Sequence, residues 1–461
     1  MANRSDPKTH PSILNARDTG QGSARRDFLR QSFGITGGLV LSAYAPDFAW
    51  AAEHKPLGTF PAGVAGDTAF IGITVPLTGP YSAAGEDEKR GYELIIEQIN
   101  NGELKGMVSG LMGKGVLGKQ LKYEIADSET KPNPAVQAQS RYIQTNKAIM
   151  ISGSLSSATA IALEKLAQRE KVVNMVGASG SNDTTGKDCQ RYGFRSQPSA
   201  YMGAKALAPV VVKALGKNLK AAYLVPDYTY GHTVFDSSSE FLGKEGNWKM
   251  QLKQLVPLGT TDFSASLLNI ANSGADVFVN VAFGADAVNS TKQAAQFGLL
   301  KKMKMLVPNI SPYQAKELGP ELMQGVYGTM DFWWTLQDKY PLAKHFVSSF
   351  EAKYKEKPRW CAHIAYLQTL VWAQAVEHAG SFYPVDVIKA LETMEFKGTT
   401  LGDVRYRAHD HQMIRPVPVV VGKKPSEMKN PEDFYTVAGV VEGDRVMSPP
   451  DFFGCKLGEY M

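Results

Sequence analysis

The stretch Ala69-Phe-Ile-Gly-Ile-Thr-Val-Pro-Leu-Thr-Gly-Pro-Tyr-Ser-Ala-Ala-Gly85, read with the residues that follow it, decides the fold. Apolar residues fill 69–75 without the alternation of a half-exposed strand, so the segment reads as a strand buried on both faces. Proline and glycine turn the chain through 76–85, and 86–100 carries the apolar period of a helix. The same order recurs in strand 121–126, helix 135–145, strand 148–151, helix 160–169 and strand 171–175. After Pro198 it resumes with helices 201–215, 230–242, 262–272 and 286–297 and strands 221–225, 249–256, 277–281 and 303–307. Short apolar strands alternating with helices imply parallel sheets covered on both faces. The strands are too many for one economical sheet, so the expected class is α/β with two doubly wound lobes. Beyond them, 342–354 and 362–378 read as long amphipathic helices, and 403–407 and 416–421 as strands. A chain that builds two lobes and then returns crosses between them more than once, which makes a hinge and a closable cleft.

The N-terminal segment has a different logic. Ser23-Ala-Arg-Arg-Asp-Phe-Leu29 precedes an apolar run at 33–45, and Ala49-Trp-Ala51 follows with a small-x-small pattern. That layout reads as a removable export signal over 1–51. The run is about 13 residues, short of the roughly 20 a bilayer span needs, so a soluble periplasmic product is expected. The paired arginines resemble the twin-arginine signal, whose pathway accepts folded cargo.

The formal charge is +5, and the leader holds six of the positive residues against four aspartates, leaving the remainder near +3. With no dense basic stripe and no zinc-finger spacing, nucleic acid is not an expected partner. Cys189, Cys361 and Cys455 are too far apart for a metal site or a disulfide scaffold. One oxidised pair with a free third thiol and three unlinked thiols both fit.

Catalysis finds no resident constellation. Gly113-Lys-Gly-Val-Leu-Gly-Lys119 imitates a phosphate loop, but Gln120 follows where a magnesium-binding hydroxyl belongs. No Gly-x-Ser-x-Gly elbow is present. His409 and His411 alternate on one side of an extended segment, and two histidines without convergent further ligands do not make a metal site. No cofactor, metal or enzymatic activity is therefore expected.

Taken in order, several pieces carry a resemblance. They are 70–81, then Gly85 and Gly91, Ala126-Asp127, Ile151-Ser-Gly-Ser-Leu-Ser-Ser-Ala-Thr159, Phe194-Arg195 with Pro198, Asp227 with Tyr230-Gly231, and Gly284 with Asp286-Ala287. Across about 340 residues the chain resembles the substrate-binding proteins of branched-chain amino-acid ABC transporters. These are the leucine/isoleucine/valine-binding type, with the type I periplasmic binding protein fold. The resemblance implies three hinge crossings, with one lobe at 66–197 plus 330–392 and the other at 198–329 plus 393–461. It implies a monomer that binds an amino acid or related small carboxylate and delivers it to an inner-membrane ABC permease. A ligand-sensing clamshell serving a membrane receptor is the alternative, and a periplasmic hydrolase a second rival.

The resemblance also implies a site. The carboxylate would meet Ser156 and Ser157, where a helix start offers free amides and a favourable dipole. Ala178, Ser179 and Ser181 would face the same solute, with the family's threonine position falling at Gly180 or Ser181. Tyr230 would clamp from the second lobe, as a flat wall with one hydroxyl. Asp286 would pair with a ligand ammonium, although an aspartate at a helix start also caps orphan amides. This chain departs from the pattern at Ala84, where some relatives carry tyrosine, while Tyr81 sits nearer the turn. Asp331-Phe-Trp-Trp334 makes the second crossing unusually aromatic, and Trp333 either lines the cleft or packs the hinge.

Overall fold

In a computed structural model, residues 54–460 are described, so the expected export signal lies outside the described residues. Strands β1 (Thr68–Val75), β2 (Gln120–Asp127), β3 (Met150–Gly153), β4 (Val173–Val176) and β5 (Gly193–Arg195) form a parallel sheet in the order β2-β1-β3-β4-β5. Residues 71–75 are buried on both faces, as the unbroken apolar run requires. Gly72 has a steric reason, since a Cβ there would come within 2.5 Å of the Gln139 side chain on the helix above.

Helices α1 (Ser82–Asn101), α2 (Pro132–Gln144) and α3 (Ser157–Glu170) connect these strands. α1 buries Tyr92, Ile95, Ile96 and Ile99 and stops at Gly102, whose φ of 73° makes a left-handed cap. A Cβ on Gly91 would lie 2.2 Å from the Ala362 carbonyl, so the Trp360–Ala379 helix rests directly on the α1 backbone.

The second sheet contains β6 (Lys220–Pro226), β7 (Lys249–Val256), β8 (Val277–Asn280), β9 (Lys304–Asn309) and β10 (Tyr327–Thr329), parallel in the order β7-β6-β8-β9-β10. Its helices include α4 (Ala200–Leu215), α5 (Thr229–Gly246), α6 (Ser264–Ala271) and α7 (Gly284–Gln296). Late strands β11 (Glu395–Thr399), β12 (Gly402–Tyr406) and β13 (Met413–Ile414) make a small antiparallel sheet, while β14 (Val417–Gly422) and β15 (Tyr435–Val441) add antiparallel beside β10.

Three passages join the sheets: 196–199 after β5, 330–340 after β10, and 415–416 between β13 and β14. The third differs from the division drawn at 392/393. Residues 395–414 stay beside β5, where the Arg195 amide donates to the His411 carbonyl, Phe194 stacks on His411 at 3.8 Å, and Ser196 meets the Tyr406 hydroxyl. The tail differs too. Cys455 is disulfide-bonded to Cys189, and the Tyr192 hydroxyl donates to the Tyr460 carbonyl, so the last residues return to the first sheet. Local patterning carries no sign of either pairing, which depends on partners more than 200 residues away.

At the hinge Asp331, on the second passage, is buried between Arg415 on the third and His363, whose Nδ1 lies 2.5 Å from Asp331 Oδ2. A buried carboxylate and guanidinium of this kind need each other. Among the described residues no helix is long and apolar enough to cross a membrane.

Candidate functional site

The loop after β3 has an enforced shape. Gly153 and Ser154 both take positive φ, 106° and 86°, and the Ser154 amide donates to the Thr74 carbonyl at 2.8 Å. This turns Ser156 into the cap position of α3 in extended backbone, yet its side chain makes no capping bond among the described residues. The simple capping role is therefore not what occupies its hydroxyl. Ser157 Oγ accepts from Ser179 Oγ at 3.1 Å and from the Ser181 amide at 3.2 Å, which locks the two loops together. Ser179 also shares a 2.8 Å bond with Thr184, and Ala178 is buried between these serines and the core.

The second lobe closes onto this edge directly. Ser181 Oγ meets Thr229 Oγ1 at 2.7 Å, and the Asn182 side-chain amide donates to Ser237 Oγ at 3.0 Å. The Tyr81 and Tyr228 hydroxyls are 2.6 Å apart, and the Ala285 amide donates to the Pro80 carbonyl at 2.9 Å. Hydrogen bonds between the faces from four separate segments define a closed arrangement.

Tyr230, in the first turn of α5, lies with its ring against Gly180: a Cβ on that glycine would come within 3.1 Å of the ring. Gly180 thus serves as the floor under the tyrosine, while Ser181 spends its hydroxyl on Thr229. Burial pushes the pKa of the Tyr230 phenol above its ordinary value.

Asp286 is in the first turn of α7, where Phe283 holds the cap position. Its Oδ2 accepts from the Gly259 amide at 2.8 Å, not from the start of its own helix. Burial raises its pKa to about 6, with the Gly259 bond opposing the shift. The Tyr81 and Tyr228 phenols both lie within reach of its charge. A buried carboxylate with no salt-bridge partner among the described residues is suited to receive a cationic group.

Tyr81 continues into an aromatic wall, meeting Phe283 edge-on at 5.2 Å, with Trp360 5.5 Å beyond. Trp360 is buried and its Nε1 has no partner among the described residues. Trp333 takes another course. Its Nε1 donates to the Tyr435 carbonyl at 3.0 Å and its ring packs edge-on against Tyr435, so it fastens the second passage to β15.

A family profile described as periplasmic binding protein matches residues 68–426, from the first strand to beyond β14. The chain belongs to that family. Members of the family are binding proteins rather than enzymes. The chain is similar to Leu/Ile/Val-binding protein homolog 7 of Brucella abortus, with 26% identity over 340 residues, 71% of this chain and 81% of that protein. Its fold is that of an amino acid ABC transporter substrate-binding protein from Pseudomonas fluorescens, with a TM-score of 0.75, 24% identity, and 86% and 100% of the two chains covered. It is also that of an ABC transporter solute-binding protein from Rhodopseudomonas palustris in complex with 3,4-dihydroxybenzoic acid, with a TM-score of 0.69, 19% identity, and 82% and 98% covered.

In this family member the structure brings Tyr81, Ser157, Ser179, Ser181, Tyr230 and Asp286 to one interlobe edge, with Ser156 and Ala178 on the loops that build it. Trp333 stands apart. Sequence reasoning missed Tyr228, Phe283 and Trp360. Tyr228 had a visible signal, two residues before Tyr230 at a helix start, but Trp360 lay outside the helix expected at 362–378. His409 and His411 separate: the first meets Asp451, and the second bonds the Gly193 carbonyl and Glu392.

Proposed function

We propose that this chain is the exported solute-binding component of an ABC uptake transporter, closing two lobes over one amino acid or related small carboxylate and passing it to an inner-membrane permease. It works in the periplasm as a soluble monomer, leaves the cytoplasm under its 1–51 leader by the twin-arginine route, and performs no chemistry on the solute. The lobes divide at 197/198, at 329/330 and at the 415–416 passage.

One observation carries this reading: an anion-ready helix start and an unpaired carboxylate belong to the same interlobe edge. Ser156 and Ser157 open α3, where free amides and the dipole favour a carboxylate. Through Ser181, Thr229 and Tyr228 that edge continues to Tyr81 and Asp286. A zwitterion satisfies both ends. The relatives support a carboxylate as the common feature, since the Brucella proteins are named for leucine, isoleucine and valine and the Rhodopseudomonas protein held a dihydroxybenzoic acid.

Titration calorimetry of the purified chain against aliphatic amino acids, aromatic acids, short amides and polyamines tests the proposal. An amino-acid ligand should lose roughly tenfold or more in affinity in Asp286→Ala, the scale of a lost charge-assisted hydrogen bond. A plain carboxylate should be nearly unaffected. If no carboxylate-bearing solute binds, the reading is wrong.

A further inference from the structure

A cavity of about 30 Å³ lies at the hinge, sharing Gly180 and Tyr230 with the site above. Gln197 reaches it from the first passage, Ser238 from α5, and Asn309 and Thr329 from the ends of β9 and β10. Tyr230, Val234 and Ser238 follow one another at four-residue spacing, so one face of α5 lines both regions.

The chemistry of this lining is uneven. Gln197 and Ser238 are 4% and 2% exposed, and neither Gln197 Oε1 nor Ser238 Oγ has a hydrogen-bond partner among the described residues. Two polar neighbours are committed elsewhere: Thr329 Oγ1 donates to the Pro308 carbonyl at 2.7 Å, and Asp331 holds Arg415 and His363. Leaving buried polar atoms unpaired is costly, so a lining built this way asks for a partner. Among the described residues no lysine or arginine lines the cavity, and Asp331 borders it, which disfavours a second anion. An aliphatic end would leave both polar atoms unsatisfied. The volume suits a group about the size of two waters.

We propose that this cavity receives the distal end of the solute and selects a neutral hydrogen-bonding group, a hydroxyl or primary amide, over an aliphatic or anionic end. Gln197 and Ser238 are the specificity-determining residues. The inference rests on the solute-binding reading above and names the solute class within it.

Calorimetry of the full chain with matched pairs tests it: threonine against valine, glutamine against leucine and against glutamate, 4-hydroxybenzoate against benzoate. In at least one pair the hydroxyl or amide member should bind tenfold or more tighter. The double variant Gln197→Leu/Ser238→Ala, checked for an unchanged circular dichroism spectrum, should bring that ratio to about one. Equal binding within every pair by the unaltered chain overturns the inference and leaves the solute-binding reading standing, and so does a ratio that survives in the folded double variant. Should the variant fail to fold, the pairs measured on the unaltered chain decide alone. Failure of every member of every pair to bind sinks the parent reading as well.

Discussion

Asp286 brings a carboxyl group to the interlobe edge, and its chemistry there departs from its ordinary behaviour. Burial lifts its pKa to about 6 while a single amide, from Gly259, supports its charged form. An ammonium group delivered by a ligand stabilises the carboxylate, so binding releases a proton wherever the free protein still holds one. The sign follows: affinity for an amine-bearing solute should rise by about tenfold between pH 5 and pH 7 and then level off, because the protonated fraction vanishes above the free-state pKa. A solute without an amine lacks this dependence. Calorimetry across that range in buffers of different ionisation enthalpy reads both the slope and the released proton. Asp286 was legible as a candidate from the family resemblance, whereas its place at a helix start pointed to a cap. Its hydrogen bond to Gly259 was not, because nothing in the local pattern of α7 announces a loop 27 residues upstream. The same holds for Trp333, whose aromatic neighbourhood could be seen in the chain but whose partner, Tyr435, could not.

At the scale of elements, the strand-to-helix turns are the parts most constrained by backbone geometry. β1 is followed by Pro76 and β6 ends in Pro226, and each turn brings a helical glycine onto that proline's carbonyl: a Cβ would come within 1.8 Å for Gly85 and Pro76, and 1.9 Å for Gly231 and Pro226. Only glycine allows the helix to start so near the strand end, and that closeness presents Tyr230 to Gly180. Gly231→Ala should therefore cost about 3 kcal/mol or more in urea unfolding, at the upper end for overpacking because the obstacle is backbone rather than a movable side chain. A loss under 1 kcal/mol would mean that α5 can shift without penalty. The parallel strands and long helices were legible because their periodicity runs over many residues. β5, β10, β11, β13 and β15 were not expected. The shortest of them are too brief to show a period, and each exists because a neighbouring strand supplies its hydrogen bonds.

For the whole molecule, the covalent cross-link among the described residues is Cys189 to Cys455, 266 residues apart, joining the segment before β5 to the tail. Constraint of the unfolded chain makes such a link worth about 2–4 kcal/mol. Cys189→Ser/Cys455→Ser should lose that amount in denaturant unfolding while retaining solute affinity, since neither cysteine touches the interlobe edge. Thiol titration of the unfolded, unreduced protein should find Cys361 alone reactive. Undiminished stability in the variant would show that the tail is held by contacts such as Tyr192 to Tyr460 instead. What the amino-acid sequence determined by itself is the alternation of apolar strands and amphipathic helices, and with it two covered parallel sheets. It also carried the family membership and the loops that bring serines, a tyrosine and an aspartate to one cleft. These rest on local periodicity and backbone geometry, which a linear reading contains. Only the tertiary structure decided which cysteines meet, where the tail returns, that Tyr81 pairs with Tyr228, and that Gln197 and Ser238 share a cavity. Each of these depends on contacts between segments far apart in the chain, and their mutual placement comes from packing the two sheets against a common hinge.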